Sequence, residues 1–587
     1  MRLDRSPETA PTRQVVAAAL SLVILGAVGA VQAGLAGASF MFDLEQVEPA
    51  LARQAPALPD PHTPRLARRV FLVVIDGLRF DRSYQLPFLD ELRRRGVDGE
   101  ATSHYPTWSR PNYVSILTGV PPSASGVRTN HHGTPVQLDS LMDRARAAGL
   151  RVATATDYDV LPRMFLRRRS ALGTPVAPGA SPPAEGPEIR APIELDAEPA
   201  LEMIEEPTAQ AGVRSPDADL ASPFDDARYA PWPGGFTEAG SALAAGDADL
   251  VILLVGAVDA AGHAHGGDSP AYREAATLAD HALARVLGHV DLTQDAVIVT
   301  ADHGHTGRGG HGGVEPEVLG VPLIAAGAGI RAGATASDAR LIDLAPTVAA
   351  LLALPAPGHG LGRTLTELLA LDGTARTARR AADQARNAIT QGTVRAAEAS
   401  AAEDVLAHRA ERIALVASAT LLAGGLAALL IRRRVLRLDR RVLLVSIPAF
   451  FVVYYGLLAT LGQRFSPSLV PAQGHLAGQM VQYGVISMIV QLLASLWALS
   501  HPRTLGERLA AANGIAWTGL MLTMVPAGLI WAFFPPPYVD LPGPLWLVLI
   551  PAALVAVACA AINVALTLGV EVIIFAARAW HRVAPPT

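Results

Sequence analysis

Between Ile413 and Ala577 the chain holds five long apolar runs, Ile413–Ile431, Val442–Gly462, Gln479–Leu499, Ala511–Phe534 and Leu545–Ala577, and Glu571 is the one charged residue within them. An α-helix needs about 20 apolar residues to cross the hydrocarbon of a bilayer, and each run is near that length or longer. Gln14–Phe42 is a sixth, uncharged run, preceded by Arg2, Arg5 and Arg13. It reads as a transmembrane anchor; the alternative is a cleaved signal peptide, with "VQA" at 31–33 as the cleavage site. In both cases the chain beyond Phe42 is exported. A mean hydropathy of +0.30 fits a chain that is partly membrane-embedded.

The loops between these runs set an expected orientation. "RRRVLRLDRR" at 432–441 is the densest basic loop, so the positive-inside rule places it in the cytoplasm. "HPRTLGER" (501–508) and the tail then also fall inside, and "PPPYVDLPGP" falls outside. The expected order is a cytoplasmic N-terminus (1–13), the anchor (14–42), an extracytoplasmic domain (43–373), a helical linker (374–412), a five-helix transmembrane domain (413–577) and a cytoplasmic tail (578–587). This is the layout of a multi-pass protein of the cell (plasma or inner) membrane. A net charge of −5 without a long basic block argues against a nucleic-acid partner. The single cysteine, Cys559, rules out an intramolecular disulfide.

Within 43–373, "VFLVVI" (70–75), "DLVILLVG" (249–256), "DAVIVTA" (295–301) and "VPLIAAGAG" (321–329) read as buried parallel strands. Helical patterns such as "LPFLDELRRRG" alternate with them, which predicts an α/β fold with a mostly parallel sheet sandwiched by helices. Residues 170–245, rich in Pro, Ala, Gly and acidic residues, read as a partly disordered insertion.

Three strand ends carry metal-binding residue types. Asp76 closes the first strand; Asp259 and His263 come after the second; Asp302, His303 and His311 come after the third. Ligands collect at the carboxyl ends of strands in open parallel sheets, so these groups can converge. One such Asp is more often a turn former, and one such His more often an ordinary surface residue. Three of each at three matching strand ends suit zinc, or manganese as the alternative. The glycines of "DHGHTGRGGHGG" suit backbone that bends sharply around a cation.

"VFLVVIDGLRFD", "YPTWSRPNYVSILTG", "DAAGHAHGG", "TADHGHTGRGGHGG" and "LIDLAPTVAALLALP" resemble, in order, the signatures of the alkaline phosphatase superfamily. Within it they are most similar to the phosphodiesterase, nucleotide pyrophosphatase and phosphoethanolamine transferase branch. The membrane layout resembles that of glycosylphosphatidylinositol (GPI) ethanolamine phosphate transferases, although only five C-terminal spans argue against a GPI substrate. The resemblance implies an alkaline-phosphatase-like fold and two divalent ions, zinc first and manganese second. Asp259, His263 and His311 would hold one ion; Asp76, Asp302, His303 and the Ser109 oxygen would hold the other. It implies Ser109 as nucleophile and Asn112 as donor to a phosphoryl oxygen. The expected activity is a phosphodiesterase or phosphotransferase working through a phospho-serine on a phosphodiester, with a phospholipid head group as one candidate. A phosphomonoesterase of the same fold and a catalytically degenerate binding module are the rivals. Sulfatases share the fold but need C/S-x-P-x-R, and Tyr113 stands where that arginine belongs.

Ser109 also fits on physical grounds. Pro111 suits the first turn of a helix, and the free amides and dipole at a helix start favour an anion. His265 and His305 are expected to support the ligands or face solvent. Glu571, near the expected cytoplasmic end of the last span, is assigned no role.

Overall fold

The computed structural model describes residues 12–45, 49–51, 55, 56, 61–168, 220–461, 466–469, 473–499, 504–536, 538 and 540–583. They divide into two compact units, Glu48–Ala397 and a second made of Met1–Val47 with Glu398–Thr587.

The first unit is built on ten strands: β1 (Val70–Ile75), β2 (Val97–Thr102), β3 (Val152–Thr156), β4 (Arg167–Arg168), β5 (Leu220–Ala221), β6 (Asp226–Tyr229), β7 (Leu250–Val255), β8 (Ala296–Thr300), β9 (Gly320–Gly327) and β10 (Ala339–Arg340). Eight form one sheet in the order β10-β2-β9-β8-β1-β7-β3-β6, and β4 and β5 make a separate ribbon. Every residue of β1, β7 and β8 is buried, as continuous Val/Ile/Leu runs require when both faces are covered. The helices supply that cover in two mutually packed groups. One contains Pro87–Arg95, Gly234–Ala245 and Pro270–Leu287; the other contains Ser109–Thr118, Leu141–Ala147 and Leu344–Leu351. The fold is therefore α/β with a mostly parallel sheet.

Register decides where the chemistry sits. β1 lies between β7 and β8, with Ile75 opposite Val255 and Val74 opposite Thr300. All three strands are parallel, so they end level and on the same side. Asp76, the segment from Gly256 and the segment from Ala301 leave the sheet side by side.

Two expectations are corrected. The run 321–329 does form a buried strand, but β9 pairs antiparallel with both β8 and β2. Between β8 and β9 there is only the four-residue helix Pro316–Leu319, too little for the crossover that a parallel return needs. The expected insertion 170–245 is shorter than it reads. Its first part, 170–219, lies outside the described residues. β6 joins the main sheet beside β3, and Gly234–Ala245 buries Phe236 and Leu243. The Pro and Gly content of 222–235 marks turns between these elements.

The helix Gly373–Ala407 covers most of the expected linker but does more than connect. Arg379 donates to the Thr63 hydroxyl (2.8 Å) and the Leu354 carbonyl (2.6 Å), Asp383 accepts from the Thr364 amide (2.6 Å), and Arg386 donates to the Gly360 carbonyl (2.9 Å). Its first half is thus docked on the α/β unit.

The second unit is helical: Thr12–Asp43, Arg409–Arg432, Arg440–Thr460, Gln473–Ala498, Leu505–Phe533 and Pro544–Val583. Six helices among the described residues are long and apolar enough to cross a membrane. Glu571, assigned no role from the sequence, has a partner inside the helical unit. It is 1% exposed, and both of its oxygens accept from Arg508, Nε to Oε2 and Nη2 to Oε1, each at 2.8 Å. The partner lies 63 residues away on a different helix, a distance at which sequence pattern carries no signal.

Bidentate pairing in an apolar bundle makes the two charges interdependent. Glu571→Gln is expected to destabilise the full chain by about 3–5 kcal/mol, because Arg508 stays buried without its counter-charge. Arg508→Met with Glu571→Met should recover most of that loss. Thermal unfolding in detergent reads both; a Glu571→Gln protein that melts like the parent would rule the pair out as a structural element.

Candidate metal and nucleophile site

Six side chains from the three strand ends meet in one cluster, with Asp76, Asp302, His303 and His311 buried and Asp259 and His263 partly exposed. After β8, Asp302 and His303 are fully buried. His303 Nε2 lies 3.3 Å from Asp76 Oδ1 and 3.3 Å from Asp302 Oδ2. After β7, a helix from Ala257 to His265 carries Asp259 and His263 one turn apart, on one face. His263 Nε2 is 3.4 Å from Asp259 Oδ2 and 2.9 Å from His311 Nε2, and His311 Nε2 is 3.6 Å from Asp259 Oδ1. The structure therefore gathers Asp259, His263 and His311 on one side and Asp76, Asp302 and His303 on the other. His303 is 4.0 Å from Asp259 and joins the two sets.

Close approach explains two of the glycines. A Cβ on Gly262 would lie 2.5 Å from the His305 ring, and one on Gly77, whose φ is +73°, would lie 2.9 Å from Asp259 Cα.

Ring tautomers separate the histidines by role. His303 Nδ1 is 3.1 Å from the Gly304 carbonyl, and His311 Nδ1 is 2.7 Å from the Thr107 carbonyl. A carbonyl only accepts, so both rings carry their proton on Nδ1 and turn a bare Nε2 into the cluster, as a metal ligand must. His305 is the reverse. Its Nδ1 accepts from the Gly310 amide (3.2 Å), which leaves the proton on Nε2, and that atom donates to Asp259 Oδ1 at 2.7 Å. His305 thus orients a carboxylate, although it lies close enough to be grouped with Asp259, His303 and His311 as a candidate ligand.

The electrostatics are those of a site that needs positive charge. Burial, and then the charges of Asp302 and Asp259, push the Asp76 carboxyl well above its ordinary range. Burial also raises Asp302, and it lowers His303 and His311. Burial would raise Asp259 too, but His263 and the His305 hydrogen bond hold it well below the usual range. Oδ2 of Asp302 is buried and accepts no hydrogen bond among the described residues. Crowded carboxylates, bare imidazole nitrogens and an orphaned buried oxygen together fit divalent cations of the zinc or manganese type.

Ser109 opens the helix Ser109–Thr118, all of whose residues are buried. Its Oγ lies 3.2 Å from His303 Nε2 and 3.4 Å from Asp76 Oδ1. Tyr113, one turn further on, donates its hydroxyl to Asp76 Oδ2. One helix therefore places a hydroxyl at each oxygen of the same carboxylate. The preceding loop is tied to the other side of the cluster. Thr107 accepts the His311 ring N–H on its carbonyl and the Gly312 amide on its hydroxyl (2.8 Å).

The structure does not place Asn112 where a phosphoryl oxygen could reach it. Asn112 is fully buried, and its Nδ2 faces the carbonyls of His104 (3.0 Å), Pro106 (3.1 Å) and Trp108 (3.1 Å) while Oδ1 accepts from the His104 amide (3.2 Å). Every polar atom of that side chain is used to fold the loop behind Ser109. Asn130 is not among the expected site residues, yet its Oδ1 accepts from the amide of Arg110, the residue after Ser109, at 3.0 Å. "RTNHHG" looks like an ordinary turn, and nothing local in it signals that position. Arg110 is buried with Nη1 on the His132 carbonyl (2.6 Å).

Residues 70–311 match the family model described as type I phosphodiesterase / nucleotide pyrophosphatase. A 126-residue stretch is 37% identical to the 2,3-bisphosphoglycerate-independent phosphoglycerate mutase of Dinoroseobacter shibae, covering 20% of this chain and 23% of that protein. Over 360 residues the chain is 26% identical to GPI ethanolamine phosphate transferase 1 of Mus musculus, covering 55% of this chain and 35% of that protein. The match thus spans 23% and 35% of the length of these two curated relatives. Among solved structures, an inactive variant of murine ectonucleotide pyrophosphatase / phosphodiesterase 5 in complex with AMP aligns at 15% identity and a TM-score of 0.36, covering 49% of this chain and 96% of that one. Residues 70–311 thus match the type I phosphodiesterase / nucleotide pyrophosphatase family, the branch of the alkaline phosphatase superfamily that the sequence motifs resemble.

Proposed function

We propose that the chain is a membrane-anchored, metal-dependent enzyme that cleaves or transfers a phosphodiester, with Ser109 as nucleophile. The observation that carries this reading is the placement of the Ser109 hydroxyl, within 3.4 Å of both His303 and Asp76, at the start of a buried helix. Asp259, His263 and His311 would hold one divalent ion, and Asp76, Asp302, His303 and Ser109 Oγ the other, with zinc as the preferred metal. When bound, such ions supply positive charge that eases ionisation of the serine and stabilises charge on the reacting oxygens.

The remaining work belongs to the side chains. Ser109 Oγ loses its proton to solvent and attacks phosphorus. The new Oγ–P bond forms as the bond to the leaving alcohol breaks, and that alcohol takes a proton from solvent. Water or an acceptor alcohol then attacks the phospho-serine and releases Ser109. Asn130 Nδ2 donates to a non-bridging phosphoryl oxygen, the role first expected of Asn112. A neutral donor matches the single negative charge of a diester better than the near-double charge of a monoester. The apolar helices and the similarity to a GPI ethanolamine phosphate transferase favour a lipid-borne diester, with the first unit outside the cell membrane.

Zinc-replete full-length protein should carry about two divalent ions per chain by elemental analysis. Ser109→Ala should keep them and lose turnover, and activity equal to the parent would move the nucleophile elsewhere. Asn130→Ala should lower kcat by roughly 10²–10³ with its metal content unchanged, whereas Asn112→Ala should lower the melting temperature. On bis-p-nitrophenyl phosphate kcat/KM should exceed that on p-nitrophenyl phosphate; the opposite order, abolished in Arg110→Ala, would make the protein a monoesterase.

Tyr113→Phe removes one hydroxyl and releases Asp76 Oδ2. Loss of a partner behind a metal ligand typically weakens metal affinity about 10–100-fold, so competition with a chromogenic chelator should show one weakened site and one unchanged site. Equal affinity at both sites would leave Tyr113 a packing residue. For orientation, reporter fusions at 437 and 505 should read inside and those at 240, 470 and 540 outside. An inside signal at 240 would place the enzyme in the cytoplasm.

A further inference from the structure

The carboxyl edge of the main sheet carries a fourth acidic residue. β3 lies parallel to β7, with Thr156 opposite Leu254, so Asp157 leaves the sheet beside the segment that starts at Gly256. The turn after β3 is braced locally. The buried Thr156 hydroxyl donates to the Tyr158 carbonyl and accepts from the Tyr158 amide, each at 2.8 Å. Asp157 Oδ1 then accepts from the Gly256 amide at 2.6 Å.

Gly256 immediately precedes the helix Ala257–His265 and has no side chain with which to cap it. The first amides of a helix lack an acceptor within the helix, and a polar side chain at its start normally supplies one. Here the acceptor comes from the neighbouring strand, 99 residues away in sequence. Burial pushes the Asp157 carboxyl up to about 6, and the groups that oppose burial are the backbone amides of Gly256, Asp157 itself and Ala257. A carboxylate is also the charge that a helix start favours. This helix carries Asp259 in its first turn and His263 in its last. Both belong to the same candidate metal set, and their places follow from the path of that first turn.

We propose that Asp157 is a positioning residue for the metal set Asp259, His263 and His311. By holding the amides at the helix start, it fixes the turn from which Asp259 and His263 project. The proposal rests on the two-ion reading above. Asp76, Asp302 and His303 leave from β1 and β8, so the ion they would hold should not sense Asp157.

Chelator competition on the full chain, run well below its melting temperature, tests this with zinc as the probe. The parent should show two ions. Asp157→Ala should bind one of them about fivefold more weakly, the equivalent of a lost N-cap, and the other unchanged. Asp157→Asn keeps an oxygen acceptor and should restore the weakened ion to within about twofold of the parent. His263→Ala identifies the ion: with only the Asp76, Asp302 and His303 set left intact, adding Asp157→Ala should not alter the affinity that remains. A purely structural cap would lower the melting temperature and change both ions alike or neither. A parent without zinc overturns the metal reading and this proposal with it. A parent with two ions that Asp157→Ala leaves unchanged, or weakens equally, overturns the proposal alone. If Asp157→Ala fails to fold, Asp157→Ser takes its place: a partial loss confined to one ion supports the assignment, and no loss removes it.

Discussion

Three carboxylates brought together out of water are the constraint on which the first unit depends. Asp76, Asp259 and Asp302 arrive there because β8, β1 and β7 are parallel neighbours that end level. Burying like charges at such range is strongly unfavourable unless something positive compensates. The chain meets this in two ways. It supplies hydrogen bonds, from Tyr113 to Asp76, from the Gly77 amide to Asp302 and from His305 to Asp259. It also leaves Asp302 Oδ2 without a hydrogen-bond partner among the described residues, 3.3 Å from His303 Nε2. The mixture is informative. A cluster stabilised only for folding would satisfy every atom, and here a buried carboxylate oxygen, Asp302 Oδ2, is left unpaired among candidate ligands.

The helix that Ser109 opens is fastened into the same arrangement from both ends. Tyr113 reaches Asp76, and Thr107, just ahead of Ser109, holds the backbone after His311 as well as its ring. Asn112 closes the loop between them through three carbonyls. Moving Ser109 would therefore disturb both candidate metal sets at once. That coupling fixes the hydroxyl relative to the candidate ligands without a long side chain of its own, which is what positioning by a rigid shell requires.

Much of the first unit is legible in the sequence, and the departures have a shared cause. Strand-end residues can be read because the strands are continuous apolar runs and their final residues are adjacent in sequence. Neighbouring strands of one direction then bring those ends together whatever the details. The direction of β9 escapes such a reading because burial makes a parallel and an antiparallel central strand look alike in sequence; only the short connection from β8 distinguishes them. Helical spacing favours Asn112 over Asn130 because it puts Asn112 near Ser109 along the chain. Yet a side chain beside three carbonyls is drawn to them first, and proximity in sequence says nothing of that competition. Asn130 reaches the Ser109 helix through tertiary folding alone. Residues 226–245 read as part of a partly disordered insertion because turn-forming prolines and glycines are interspersed with the buried positions, Phe236 and Leu243 among them, that hold them in the fold.

The helical unit obeys the same logic with a different solvent. Hydropathy locates its helices, since length and apolarity suffice, but says nothing of how polar groups inside it are matched. Ser446 meets Ser495 at 2.5 Å, Gln491 meets Asn563, and Arg508 meets Glu571, each pair joining two helices and each buried. Gln491 and Ser495 share one face of Gln473–Ala498, and Asn563, Thr567 and Glu571 share one face of Pro544–Val583, at four-residue spacing. Apolar contact between helices is nearly indifferent to rotation and sliding, because lipid offers the same contact. Directional bonds along a single seam are not indifferent. They select one rotation and one register for the helices they join, so the polar residues that hydropathy treats as interruptions specify the packing that hydropathy leaves open.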